Sequence, residues 1–153
     1  EIKPFTLLPP MNNLSDPIDP RVTFITKDIL REALRRGSNA RQVSVLQRDD
    51  IAGKTGTTNN AISTWFSGFH NNLATTVWVG TDDFSSLGDN EFGSSIALPT
   101  WVDFMKTALP NLPNDAWKSP KGLSYVRVDR ETGKPTEQTS SKAYFELFID
   151  TEN

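Results

Sequence analysis

The chain has 153 residues, 36% hydrophobic and 23% charged, the balance of a folded domain with its own core rather than of a disordered segment. Its net charge of −3 leaves no overall basic field for nucleic acid or an anionic membrane surface, and the absence of cysteine with a single histidine, His70, excludes a disulfide framework and thiolate or multi-histidine metal sites. No run of about 18 apolar residues could span a bilayer. No charged-then-apolar leader opens the chain, and Glu1 stands where an initiator methionine would, so the chain is expected to be a piece of a longer protein.

Residues 1–18 read as a connector, with five prolines in the first 20 positions (Pro4, Pro9, Pro10, Pro17, Pro20) and little periodicity. Asp19-Pro20 then supplies a cap and a first-turn proline for a helix over about 21–36. Val22, Ile25, Ile29, Ala33 and Leu34 follow at helical spacing, Lys27, Asp28, Arg31, Arg35 and Arg36 take the other face, and Gly37 ends it. The basic residues Arg31, Arg35, Arg36, Arg41 and Arg48 read as a solvated face rather than a phosphate-binding patch.

From Ile51 the period shortens. Ile51–Thr57 predicts a strand and Thr58–Ile62 a polar turn. Ser63–His70 and Leu73–Gly80 predict two more strands joined by an Asn71-Asn72 hairpin turn, making an antiparallel meander. A polar loop covers 81–97. Pro99 opens a second helix with Trp101, Val102, Met105, Ala108 and Leu109 as its apolar positions, and Pro110 ends it. Pro110, Pro113 and Pro120 mark a linker. Beyond it Leu123–Asp129 alternates like a strand, Glu131-Thr132-Gly133 is a turn, and Tyr144–Ile149 is a short apolar segment. The predicted organisation is a connector (1–18), a main body (19–109) and a linker with a C-terminal tail (110–153). The fold class is mixed α/β of the α+β kind, an antiparallel sheet packed with helices.

The segment richest in chemistry is Ile51-Ala52-Gly53-Lys54-Thr55-Gly56-Thr57-Thr58-Asn59. Gly53-Lys54-Thr55 matches the end of a P-loop, but that motif needs a glycine where Arg48 stands, and Asp49 and Asp50 would repel phosphate. The alternative is the Lys-Thr-Gly strand of serine penicillin-recognising enzymes. Lys54 would place a fixed cation near a substrate carboxylate. Gly56 would let an extended peptide lie against the backbone as an added strand. Thr55 and Thr57 would offer hydroxyls to the carboxylate, and the Thr57 N–H could serve an oxyanion. Alternation puts Lys54 and Gly56 on one face and Thr55 and Thr57 on the other, so a substrate could meet both sets only along a twisted edge. A bare three-residue match is equally what an ordinary strand with a glycine bulge would show.

The neighbourhood narrows this. Lys54-Thr55-Gly56-Thr57-Thr58-Asn59, Trp65-Phe66-Ser67-Gly68-Phe69 and Val77-Trp78-Val79-Gly80 together resemble the class A (bifunctional) penicillin-binding proteins across three successive strands. The Asp19-Pro20-Arg21-Val22 helix start, the Arg35-Arg36-Gly37 helix end, Ala97-Leu98-Pro99 with Trp101 and Phe104-Met105, and Val128-Asp129-Arg130-Glu131-Thr132-Gly133 are similar to the same family, so that the likeness runs over about 19–150. One departure is Ser63, where the family usually has an acid; that puts a local salt bridge in doubt.

The resemblance implies the C-terminal part of a transpeptidase domain, a fragment of the serine β-lactamase/penicillin-binding transpeptidase fold. It implies a peptidoglycan D,D-transpeptidase that cross-links cell walls and is acylated by β-lactams, without a cofactor or metal. Lys54 and Thr57 carry the implied catalytic roles; Lys54, Thr55, Gly56 and Thr57 bind a stem peptide ending in D-Ala-D-Ala. No serine here has lysine three positions on or asparagine two positions on, so Ser-x-x-Lys and Ser-x-Asn are expected in the N-terminal remainder of the same protein, with a glycosyltransferase domain and a membrane anchor further upstream. The location implied is the periplasmic face of the bacterial inner membrane, and the chain alone is expected to be inactive. Thr139-Ser140-Ser141-Lys142 is only a near match to Ser-x-x-Lys in a polar tail. The rival reading is a non-catalytic binding or accessory module with this fold. His70 reads as a surface or packing residue rather than a base, and Asp82, Asp83, Asp89 and Glu91 as a solvated loop rather than a metal site.

Overall fold

The computed structural model describes residues 18–137 and 143–150. Residues 1–17 of the expected connector (1–18) and the near-match at 139–142 lie outside them. Asp19 caps helix α1 (Pro20–Arg36), its carboxylate accepting the Arg21 N–H at 2.8 Å, with Pro20 at the first helical position. Of the apolar positions its spacing predicts, Leu34 and Ile25 do pack inward, but the buried face is rotated away from Val22 and Ile29. Val22 and Ile29 are 44% and 57% exposed, whereas Phe24, Asp28 and Leu34 are buried. Phe24, flanked by Ile25 and Leu30, enters a cluster with Ala52, Trp117 and Leu147. Asp28 accompanies it inward because Arg31 pairs with its carboxylate.

A short helical turn, α2 (Ala40–Val43), leads to the meander: β1 (Ala52–Thr57), β2 (Ser63–His70) and β3 (Leu73–Gly80), antiparallel in the order β1-β2-β3. The register pairs Lys54 with Ser67, Thr55 with Phe66, Gly56 with Trp65 and Thr57 with Thr64. Directly paired residues share a face, so one face carries Gly53, Thr55, Thr57, Thr64, Phe66 and Gly68, and the other Lys54, Gly56, Trp65 and Ser67. The alternation read from the sequence is the alternation present.

Helix α3 (Ala97–Ala108) covers the first of these faces. It starts two residues before Pro99; proline is tolerated there because first-turn amides have no partner within the helix. Ala97, Leu98, Trp101 and Met105 are fully buried. Trp101 meets Phe66 with ring centroids 4.8 Å apart at 54°, a geometry contributing about 0.5–1.5 kcal/mol beyond burial. Gly68 makes the fit possible, since a Cβ there would stand 2.5 Å from Trp101 Cζ2.

Arg48 is not part of a solvated basic face. Its side chain is 9% exposed and holds Asp50, which is 1% exposed, through Nε–Oδ1 at 2.8 Å and Nη2–Oδ2 at 2.7 Å. His70 joins this pair, its Nε2 3.1 Å from Asp50 Oδ2, while its Nδ1 accepts the Asn72 N–H at 3.2 Å. The expected linker is pinned to the same group: Arg48 donates to the carbonyls of Leu109, Leu112 and Pro113, and the Asp115 N–H donates to Asp50. A charge this deep is tolerated only when paired and hydrogen-bonded, and those bonds tie the strand, the hairpin turn and residues 109–115 together.

The tail forms an antiparallel pair, β4 (Leu123–Asp129) and β5 (Ala143–Ile149), which packs back on α1 through Leu123 and Leu147. Among the described residues no helix is long and apolar enough to cross a membrane.

Candidate functional site

β1 is an edge strand: β2 pairs with one side, and among the described residues no strand pairs with the other. An unpaired edge offers a row of amides and carbonyls to an extended peptide. Lys54 lies along this edge, exposed and, among the described residues, without an ion-pair partner. Its ammonium curls around the strand, 3.2 Å from the Thr55 carbonyl oxygen and 3.5 Å from Thr55 Oγ1. Although Lys54 and Thr55 leave the backbone on opposite faces, cation and hydroxyl meet at the edge. Gly56 sits over Trp65, with the position of its missing Cβ 3.2 Å from Trp65 Cβ, so no side chain stands between the peptide plane and the indole.

Thr57 is exposed at the end of the strand, and its Oγ1 accepts the Gly93 N–H at 3.1 Å. The turn that follows closes on itself: Thr58 Oγ1 accepts the Ser63 N–H at 2.8 Å, and the Thr58 N–H donates to the Ser63 carbonyl at 3.1 Å. At Ser63 the turn is held by hydroxyl and backbone bonds. A cleft of about 360 Å³, lined in part by Thr57, Asn60, Ser86 and Glu91, opens at this end of β1. Larger clefts of about 490 Å³ between α1 and the β4–β5 pair, and about 590 Å³ beside Trp117, lie away from Lys54.

Past Gly56 the Lys54 face continues as Trp65 and Trp78, 42% and 48% exposed, meeting edge to face at 6.2 Å. Two half-exposed tryptophans beside a lysine with no ion-pair partner among the described residues make an apolar surface with nothing described lying over it.

His70 is 3% exposed and committed to the Arg48–Asp50 pair, so it is a packing residue. Asp82, Asp83 and Asp89 are exposed, and among the described residues no group of three or more His, Cys, Asp or Glu side chains could hold a metal ion. Two features escaped the sequence reading. Arg48 read as part of a solvated face and Asp50 only as a carboxylate that would repel phosphate; the signal was two oppositely charged residues, two apart, immediately before a strand. Gly93 looked like one more loop glycine, its only cue being a glycine five residues before a Leu-Pro helix start.

No family profile matches the chain. It is 40% identical over 131 residues to penicillin-binding protein 1A of Pseudomonas aeruginosa, a match covering 86% of this chain and 16% of that protein. It is 43% identical over 111 residues to penicillin-binding protein 1A of Neisseria lactamica, covering 72% of this chain and 14% of that one. The crystal structure of penicillin-binding protein 1A from Haemophilus influenzae superposes with a TM-score of 0.78 at 31% identity, over 88% of this chain and 22% of that chain. The architecture is a fragment of the penicillin-binding transpeptidase fold, and the chain belongs to the penicillin-binding protein family. Within that family its relatives are penicillin-binding proteins 1A, of whose length it spans about one-sixth.

Proposed function

We propose that this chain supplies the substrate-binding strand of a peptidoglycan D,D-transpeptidase. The observation that carries this is the meeting of Lys54 and Thr55 at the unpaired edge of β1, cation and hydroxyl 3.5 Å apart. A stem peptide ending in D-Ala-D-Ala would add to β1 as a further strand. Its terminal carboxylate would take hydroxyl bonds from Thr55 and Thr57 and the nearby charge of Lys54, and the Thr57 N–H would face the oxyanion. The residues from Lys54 to Gly56 set the line of approach, because Gly56 puts no side chain in the peptide's path.

The nucleophilic serine and its base belong to the N-terminal remainder of the same protein, since nucleophile and base must lie within hydrogen-bond reach of each other and this chain carries neither motif. That serine attacks the penultimate D-alanine carbonyl, the terminal D-alanine leaves with the proton delivered by the base, and the acyl group passes to an amine of a neighbouring stem. β-Lactams acylate the same serine. The exposed Trp65–Trp78 face supports an incomplete body, of a kind that a remainder of the fold would cover. The whole protein would also carry a glycosyltransferase domain and a membrane anchor, at the periplasmic face of the inner membrane.

Thr57→Val in the complete protein tests the reading. A hydroxyl bond to a charged group contributes about 1.5–3 kcal/mol, so acylation by a fluorescent penicillin should slow by about ten- to a hundredfold. An unchanged rate removes Thr57 from the site.

A further inference from the structure

A threonine hydroxyl at the exposed end of an edge strand rotates among three wells, and only some of them aim its proton at a ligand. Thr57 is not free in this way. The Gly93 N–H donates to Thr57 Oγ1 at 3.1 Å, and among the described residues the Thr57 hydroxyl proton goes to no acceptor. One lone pair is taken by a fixed amide, leaving the O–H to point elsewhere.

The amide itself cannot move. Gly93 is buried, and its carbonyl accepts the Leu98 N–H at 2.8 Å, which ties it to the first turn of α3. Its Cα is pressed onto the strands: a Cβ would lie 2.5 Å from the Trp65 carbonyl oxygen, 2.8 Å from the Gly56 carbonyl oxygen and 3.1 Å from Thr55 Cβ. Two of those three atoms are backbone and cannot yield cheaply. The turn around it is fixed as well, since Ser95 Oγ donates to Glu91 Oε2 at 2.6 Å and accepts the Phe92 N–H at 2.9 Å.

We propose that Gly93 is a positioning residue for acyl-donor recognition: its amide locks the Thr57 hydroxyl as a donor aimed outward, toward a carboxylate lying along β1, and only glycine fits close enough to do so. This rests on the reading of Thr57 given above. It adds a specificity device, a preference for acyl donors with a free terminal carboxylate that is set from the 81–96 loop.

The test uses the complete protein and two acyl donors, a thioester ending in a free carboxylate and its methyl ester. The ratio of their acylation rates isolates carboxylate recognition, because general damage slows both donors alike. Gly93→Ala should lower the ratio about tenfold, and Thr57→Val should do the same or more. In the Thr57→Val background, Gly93→Ala should change the ratio no further. Thr57→Ser, which keeps the oxygen for the Gly93 amide, should retain most of the parent ratio and supports the role even if Gly93→Ala fails to fold. A lowered ratio in Thr57→Val with a parent ratio in Gly93→Ala overturns the Gly93 role alone, as does a Thr57→Ser ratio as low as that of Thr57→Val. A parent ratio in Thr57→Val overturns the Thr57 assignment and the Gly93 role with it.

Discussion

Arg48 grips Asp50 at two points, Nε to Oδ1 at 2.8 Å and Nη2 to Oδ2 at 2.7 Å, inside the protein and immediately before the strand that carries Lys54. Asp50 also meets His70 and the Asp115 amide. The pair therefore fixes where β1 begins, how the hairpin turn sits and where residues 109–115 run.

Removing one partner of such a pair strands the other charge away from water. Asp50→Asn in the complete protein should cost about 3–5 kcal/mol, read as a lower urea midpoint for the unfolding step of this domain. A midpoint equal to that of the parent would mean that Arg48 finds another counter-charge.

The same carboxylate sets an acid dependence. Burial pushes the Asp50 carboxyl up, but the Arg48 hydrogen bonds and charge, with the contribution of His70, outweigh it and hold it below its ordinary value of 3.8. The folded state then binds this proton less readily than the unfolded state. Its stabilisation is fully present above the ordinary value and is lost as pH falls through the folded one. The stability difference between parent and Asp50→Asn should shrink as pH drops below 3.8, where the parent carboxyl also becomes neutral. A gap that stays constant to about pH 2 would contradict this.

Gly68 is a packing requirement. A methyl group there would meet Trp101 Cζ2 at 2.5 Å and Phe66 Cε1 at 2.8 Å, so Gly68→Ala should destabilise by about 1–3 kcal/mol through overpacking. Trp101→Phe frees room at the same spot. The double mutant should lose less than the sum of the single losses, measured as a coupling in denaturant unfolding. Strict additivity would place the clash elsewhere.

Trp65 and Trp78 give a prediction about the whole protein. If the remainder of the fold lies over this face, Trp78→Lys puts a charge into a buried interface and should lower the thermal midpoint of the complete protein by several degrees. A neutral effect would mean that the face stays in water.

How much was legible from sequence depended on the kind of contact. The hairpin turn and the face assignment followed from Asn71-Asn72 and from alternation, because local chemistry decides them. The inward face of α1 did not, because tertiary packing chose Phe24 and Asp28 over Val22 and Ile29. That choice depends on Trp117 and Leu147, which are distant in sequence. Lys54, Thr55, Gly56 and Thr57 could be picked out as a motif, but the curl of Lys54 to the Thr55 hydroxyl and the approach of Gly93 to Thr57 span a twist and a 36-residue separation that no periodicity encodes.

Lys54 bears most directly on the central claim. Because it is exposed and has no ion-pair partner among the described residues, Lys54→Met should leave the unfolding midpoint of the complete protein unchanged. Loss of the cation proposed to attract the substrate carboxylate should slow acylation by a fluorescent penicillin by about a hundredfold or more. Acylation at the parent rate in a normally folded Lys54→Met protein would contradict the account.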